Sequence, residues 1–181
     1  LRTLPDIDPD VPTIAIAGYP NVGKTAFVNA VTRASNETAA YPFTTTGINV
    51  GHVERDHVRY QIGDTPGLLD RPDEEQNEIE SQARSALDHV ADLVLYFYDP
   101  SETCGYMLED QESLRADIEA SLGAPLISVC SKADLSKDVE ADFYMTIPSE
   151  TDGDVVGEPA ETVLEAAIEA LDVEIELPFE E

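Results

Sequence analysis

The chain has 181 residues, 42% of them hydrophobic: the length of one domain, with enough apolar content for a core. Its charge is lopsided, 38 acidic residues against 10 basic ones for a net −28, which leaves no basic footprint for direct nucleic-acid contact. No apolar run reaches the ~18 residues of a membrane span and no secretory leader is visible, so a cytoplasmic protein is expected, without membrane partners.

Residues 1–12 carry three prolines and read as an extended lead-in. The first residue is Leu1, not Met, so a further upstream region is expected. From Thr13 on, strand and helix signals alternate. The spacing predicts strands at Thr13–Ala17, Ile48–Glu54, Val58–Ile62, Leu93–Tyr98, Leu126–Cys130 and Phe143–Ile147. Helices are predicted at Thr25–Arg33, Glu74–His89, Glu109–Leu122 and Ala160–Leu171. Arg55-Asp56-His57 is short enough for a hairpin; the remaining strands are separated by helices, which implies parallel crossovers. The expectation is an α/β, three-layer fold: a mostly parallel six-stranded sheet with one antiparallel edge strand, the domain spanning 13–171. Residues 172–181 alternate acidic and apolar side chains and read either as an added edge strand or as a frayed acidic tail.

Between the first strand and first helix lies Gly18-Tyr19-Pro20-Asn21-Val22-Gly23-Lys24-Thr25, which fits G-x-x-x-x-G-K-[ST]. A strand, a glycine-containing loop and a helix N-terminus make an anion site, because successive backbone N–H groups and the helix dipole favour negative charge there. Asn21, Val22, Gly23, Lys24, Thr25 and Ala26 are the candidate phosphate-binding residues. Lys24 would reach the β- and γ-phosphates, and the Thr25 hydroxyl would ligate Mg²⁺. A second motif, Asp64-Thr65-Pro66-Gly67, follows the third strand: Asp64 would hold Mg²⁺ through a water, and the Gly67 N–H would sense the terminal phosphate. A third, Tyr41 to Gly47, offers a hydroxyl to complete the Mg²⁺ shell. A fourth, Ser131-Lys132-Ala133-Asp134, closes the fifth strand. Asp134 would accept two N–H bonds from a guanine edge, where adenine would leave the acid unpaired. The Lys132 stem would cover the base.

Taken together, these stretches resemble translation-factor-type GTPases, specifically the nucleolar GTP-binding protein family related to Obg. The resemblance runs over Leu4 to Pro9, Gly18 to Thr25, Tyr41 to Gly47 with Gly51-His52, Gln61 to Pro72, and Asp99-Pro100-Ser101-Glu102-Thr103-Cys104-Gly105-Tyr106. It implies GTP binding and hydrolysis, with Thr45 joining Thr25 as an Mg²⁺ ligand, and a role in assembling the large ribosomal subunit. Contact with rRNA or ribosomal proteins would then run through regions outside this chain. The family's base motif opens with Asn; here it opens with Ser131, which is shorter and is expected to tie the loops together less well. The counterpart of the last family motif is Pro148-Ser149, which makes Ser149 a nucleotide-site candidate.

The catalytic candidates are Lys24, Thr45, Gly67 and Asn21. Many GTPases carry a water-orienting glutamine just after D-x-x-G, but here that place holds Leu68, so slow intrinsic turnover is expected. Asn21 suggests a remedy: GTPases resembling this one with Asn at this point can bind K⁺ beside the phosphates, an ion that would neutralise transition-state charge. The plainer alternative is that Asn21 braces its loop. Arg33 and Arg71 are rare positives near these loops and would meet phosphate or pair with neighbouring acids.

The acids are spread along the chain instead of forming one tail. Such a domain repels itself in dilute salt, whereas at ~1 M salt the Debye length is about 3 Å and the repulsion is screened. A salt-rich cytoplasm is expected, and with the family resemblance a halophilic archaeal source. Two rivals to a hydrolysing switch remain: a binding module with negligible turnover, which Leu68 favours, and an ATP-using NTPase, which Asp134 disfavours. Cys104 and Cys130 show no metal spacing and are expected to be reduced, Cys130 as a core residue.

Overall fold

The computed structural model describes residues 11–32, 37–40, 47–55, 57–64, 69, 71–72, 78–88, 91–145 and 160–176. Seven strands and four helices follow one another as β1 (Thr13–Ala17), α1 (Lys24–Thr32), β2 (Glu37–Ala40), β3 (Gly47–Arg55), β4 (Val58–Asp64), α2 (Glu78–Leu87), β5 (Leu93–Tyr98), α3 (Leu108–Ser121), β6 (Leu126–Cys130), β7 (Phe143–Tyr144) and α4 (Ala160–Glu176).

β1 and β5 read as unbroken apolar runs because every residue of both is buried. A strand covered on both faces has no polar side to alternate with. The sheet order is β2-β3-β4-β1-β5-β6-β7. β4, β1, β5, β6 and β7 run parallel, while β3 pairs antiparallel with both β4 and β2. The α/β class and the single reversed strand agree with the sequence reading. The structure adds a seventh strand, β2, and β2 takes the edge, so the reversed strand β3 lies one place inside it. The β3–β4 hairpin closes with Arg55 opposite Val58, and His57 takes φ +67° in the turn.

α1 packs against α4, and the Arg84 guanidinium of α2 bonds Asp117 of α3 at 2.9 Å. Phe27 of α1 meets Phe97 of β5 edge-on at 5.3 Å, anchoring the first helix over the sheet centre. Gly51 of β3 is the contact point for Thr32 of α1: a Cβ there would lie 2.2 Å from the Thr32 methyl. Residues 172–176, read as strand or tail, are helical backbone continuing α4.

β1 has β4 on one side and β5 on the other, and the chain departs from it in both directions across the sheet. The carboxyl end of β1 is therefore a topological switch point, where open α/β sheets bind ligands. Register places Asp64 beside Ile16, two residues before the loop that leaves β1.

Candidate functional site

The loop from β1 into α1 turns by leaving ordinary backbone space three times: Gly18 has φ +134°, Asn21 +68° and Gly23 +105°. At Gly18 only glycine fits, since an added Cβ would sit 2.8 Å from the Phe97 carbonyl oxygen and 3.1 Å from Val22. Asn is among the side chains that tolerate the left-handed region. The loop is tied down at its start by Gly18 N–H donating to Leu69 O at 2.9 Å, which links it to the chain just after β4. At its end, Phe27 N–H donates to Gly23 O at 3.0 Å and opens α1.

Lys24 is 7% exposed, and its Nζ donates across the loop to Gly18 O at 2.5 Å. A lysine this buried is held only where acceptors meet it. Val22 is fully buried and anchors the loop from below, while Asn21, Thr25 and Ala26 are exposed at its mouth. The first turn of α1 directs its N–H groups toward that mouth, as any helix N-terminus does.

The turn after β6 approaches the same loop. Ser131 Oγ donates to Val22 O and, at 3.2 Å, to Tyr98 O, and Ser131 N–H also donates to Tyr98 O at 3.0 Å. Ser131 was expected to tie the loops poorly. It bridges them directly, because the phosphate loop comes close enough for a one-carbon arm. Lys132 Nζ donates to Asn21 O at 2.8 Å, to Thr103 Oγ1 at 3.1 Å and to Asp99 Oδ2 at 3.2 Å. Ala133 N–H donates to Met145 O, and Leu135 N–H to Lys132 O, which closes the turn and leaves Asp134 exposed.

Asp99, at the end of β5, is a hub that the sequence marked only as part of a family-like stretch. It is fully buried. Its Oδ1 accepts from Ser101 N–H at 3.1 Å and from Ser101 Oγ; its Oδ2 accepts from Thr103 Oγ1 and Cys104 N–H, both at 2.9 Å, besides Lys132. Burial alone would raise its pKa, but these donors outweigh it and hold the carboxyl below the usual carboxylate range. The rest of the stretch closes around it. Glu102 takes φ +62° and its Oε2 accepts Leu108 N–H at 2.6 Å, at the start of α3. Tyr106 stacks on Tyr19 of the phosphate loop, ring centroids 4.0 Å apart and 14° from parallel. An Asp followed by Ser and Thr two and four residues on is the available sequence signal, the pattern of a side chain organising its own turn.

The structure thus brings Asn21, Val22, Gly23, Lys24, Thr25, Ala26, Ser131, Lys132 and Asp134 to one end of the sheet. The Asp64 backbone ends β4 beside β1. Thr45, Gly67 and Ser149 lie outside the described residues, as do Arg33, Leu68 and Pro148. Cys104 and Cys130 are buried free thiols, and burial pushes the Cys130 thiol up to about 11.

The donor set fits the ligands the motifs imply. Buried Lys24 at a loop with three positive-φ residues fits a phosphate chain. A hydroxyl at Thr25 and a carboxylate at Asp64 are the hard oxygen donors that Mg²⁺ takes.

Among known proteins, residues 13–132 match the family model for 50S ribosome-binding GTPases. Over 136 residues the chain is 46% identical to nucleolar GTP-binding protein 1 of Arabidopsis thaliana, covering 75% of this chain and 20% of that protein. It is 47% identical over 135 residues to an uncharacterized protein of Methanocaldococcus jannaschii, covering 75% of this chain and 37% of that one. The chain therefore spans about a fifth of the length of its nucleolar relative. Among solved structures, a putative nucleolar GTP-binding protein 1 from Plasmodium falciparum superposes with TM-score 0.78 at 30% identity, over 94% of this chain and 91% of that one. The G domain of the Thermotoga maritima FeoB iron transporter shares the fold, with TM-score 0.64 at 24% identity over 88% of this chain and 98% of that one. By these matches the chain belongs to the 50S ribosome-binding GTPase family and is a homologue of nucleolar GTP-binding protein 1.

Proposed function

We propose that this domain is a Mg²⁺-dependent switch that binds and hydrolyses GTP and assists assembly of the large ribosomal subunit. One observation carries the reading: the turn that would hold the base and the loop that would hold the phosphates are bonded to each other, through Ser131 Oγ on Val22 O and Lys132 Nζ on Asn21 O. A nucleotide spans the same two elements.

In this reading the backbone from Asn21 to Ala26 cradles the phosphates, and Lys24 exchanges its Gly18 contact for β- and γ-phosphate oxygens. Thr25 and Thr45 would hold Mg²⁺, and Asp64 would support the ion through water. Bound Mg²⁺ would neutralise charge on the β- and γ-phosphates. The Gly67 N–H reports the γ-phosphate. Asp134 accepts the guanine edge, the Lys132 stem covers the base, and Ser149 approaches it from the following loop. Asn21, exposed at the loop mouth, would hold K⁺ there. Leu68 provides no water-orienting group, so intrinsic turnover is slow. The ribosome-directed role rests on membership of the 50S ribosome-binding GTPase family; the protein would act in the cytoplasm, and parts of it beyond these 181 residues would supply contact with rRNA or ribosomal proteins across the acidic surface. Among the described residues no helix is long and apolar enough to cross a membrane.

Phosphate release under saturating GTP tests the enzymatic half. Turnover is expected with Mg²⁺, faster in KCl than in NaCl of equal ionic strength. Tight GTP binding with no release would leave a nucleotide-sensing module, the reading Leu68 favours; equal rates in the two salts would remove K⁺.

A further inference from the structure

The stretch from Asp99 to Tyr106 connects to the phosphate loop in two ways, once through Lys132 and once directly, without belonging to any of the nucleotide motifs. Through Lys132, whose ammonium rests on Asp99 Oδ2 and Thr103 Oγ1, it reaches Asn21 O. Through the Tyr106 ring it stacks on Tyr19. The stretch is itself rigidly held. Gln111 of α3 accepts Asp99 N–H at 2.7 Å and donates to Asp99 O at 2.9 Å and Tyr106 O at 3.1 Å, and Tyr96 OH donates to Gln111 O at 2.5 Å.

A lysine on four rotatable bonds has many directions to point. Here two fixed oxygens from the turn after β5, Asp99 Oδ2 and Thr103 Oγ1, select one, toward the phosphate loop. Asp99 is held in turn by four donors of its own turn, the Ser101 N–H and hydroxyl, the Thr103 hydroxyl and the Cys104 N–H, so it cannot follow the lysine elsewhere. Thr103 completes the arrangement by donating its hydroxyl proton to Asp99 while accepting from Lys132.

We infer that Asp99 and Thr103 are positioning residues for the guanine-nucleotide site, aiming the Lys132 ammonium at the Asn21 carbonyl and so locking the base-recognition turn to the phosphate loop before ligand arrives. This rests on the nucleotide site proposed above and adds two residues that no nucleotide motif contains. Neither touches the nucleotide; each acts through Lys132. The gain is preorganisation, since a lysine already aimed loses less freedom on binding.

The test is a double-mutant cycle read by mant-GDP affinity in molar KCl with Mg²⁺, with folding checked by circular dichroism. Asp99→Asn and Lys132→Met are each expected to weaken mant-GDP by about tenfold, the scale of one lost charge-assisted hydrogen bond. Because Asp99 acts through Lys132, the double variant should bind no more weakly than Lys132→Met alone. A purely structural Asp99 would make the two losses multiply, which overturns the inference. Should Asp99→Asn fail to fold, Thr103 decides: Thr103→Ser keeps the hydroxyl and should bind like the unmodified chain, whereas Thr103→Val should bind several-fold more weakly. Equal affinity of Thr103→Val and Thr103→Ser overturns the inference. If the unmodified chain itself ignores mant-GDP, the nucleotide reading fails, a result distinct from unchanged affinity in the variants.

Discussion

At the scale of single residues, the site depends on atoms with no room to move. Gly18 combines φ +134° with a Phe97 carbonyl oxygen 2.8 Å from where a Cβ would stand, and backbone is not a flexible obstacle. Gly18→Ala is expected to cost about 1–3 kcal/mol in chemical denaturation, from strain and overpacking together. Asp99 gives a pH signature. Its carboxyl lies below the usual range in the fold and near 3.9 when unfolded, so the stability it contributes is complete above about pH 4 and is lost as pH falls through the folded value. Denaturant melts from neutral pH into acid should therefore show a steeper acid loss for the unmodified chain than for Asp99→Asn; parallel acid limbs would contradict the depressed carboxyl. The phosphate loop could be read directly from sequence because its function fixes residue types at fixed spacing. Asp99 could not, since its five donors come from a turn and from a lysine 33 residues away. Ser131 was legible as a departure from its motif, but the distance that makes serine sufficient is a property of the fold.

At the scale of elements, buried strands announced themselves and the edge did not. β1, β5 and β6 coincide with their apolar runs end for end, because central strands need apolar residues on both faces. β2, Glu37-Thr38-Ala39-Ala40, consists largely of residue types depleted in strands, and its pairing with β3 overrides that preference. The final alternation in α4 misled in the opposite sense: Asp172 to Glu176 has strand period, yet the helix it extends continues through it. The α1–β3 contact offers an element-level prediction. In Gly51→Ala the new Cβ would meet the Thr32 methyl at 2.2 Å and the Thr32 Cβ at 2.7 Å, so α1 must lift from the sheet. The expected cost is about 1–3 kcal/mol by urea denaturation. Adding Thr32→Ala, which removes the methyl and hydroxyl, should recover part of it; no loss in the single variant would contradict the close packing.

At the scale of the whole molecule, charge and site act in opposite senses. A net −28 repels itself and repels a polyphosphate, and only the phosphate loop and Lys132 offer local relief among the motif residues. Salt screens the general repulsion, since the Debye length shrinks from about 10 Å at 0.1 M to about 3 Å at 1 M. The midpoint of thermal unfolding is therefore expected to climb as KCl is raised from dilute to molar, by fluorescence or circular dichroism; a midpoint that stays level or falls would contradict a salt-adapted surface.

The central claim is that the loop after β1 and the turn after β6 together hold a guanine nucleotide. Calorimetric titration of the purified domain with GTP, GDP and ATP, in molar KCl with Mg²⁺, tests it most directly. The account predicts saturable binding of GTP and GDP and at least about 100-fold weaker binding of ATP, because adenine leaves the Asp134 carboxylate without its paired donors. Binding of neither guanine nucleotide, or ATP binding as tight as GTP, would contradict it.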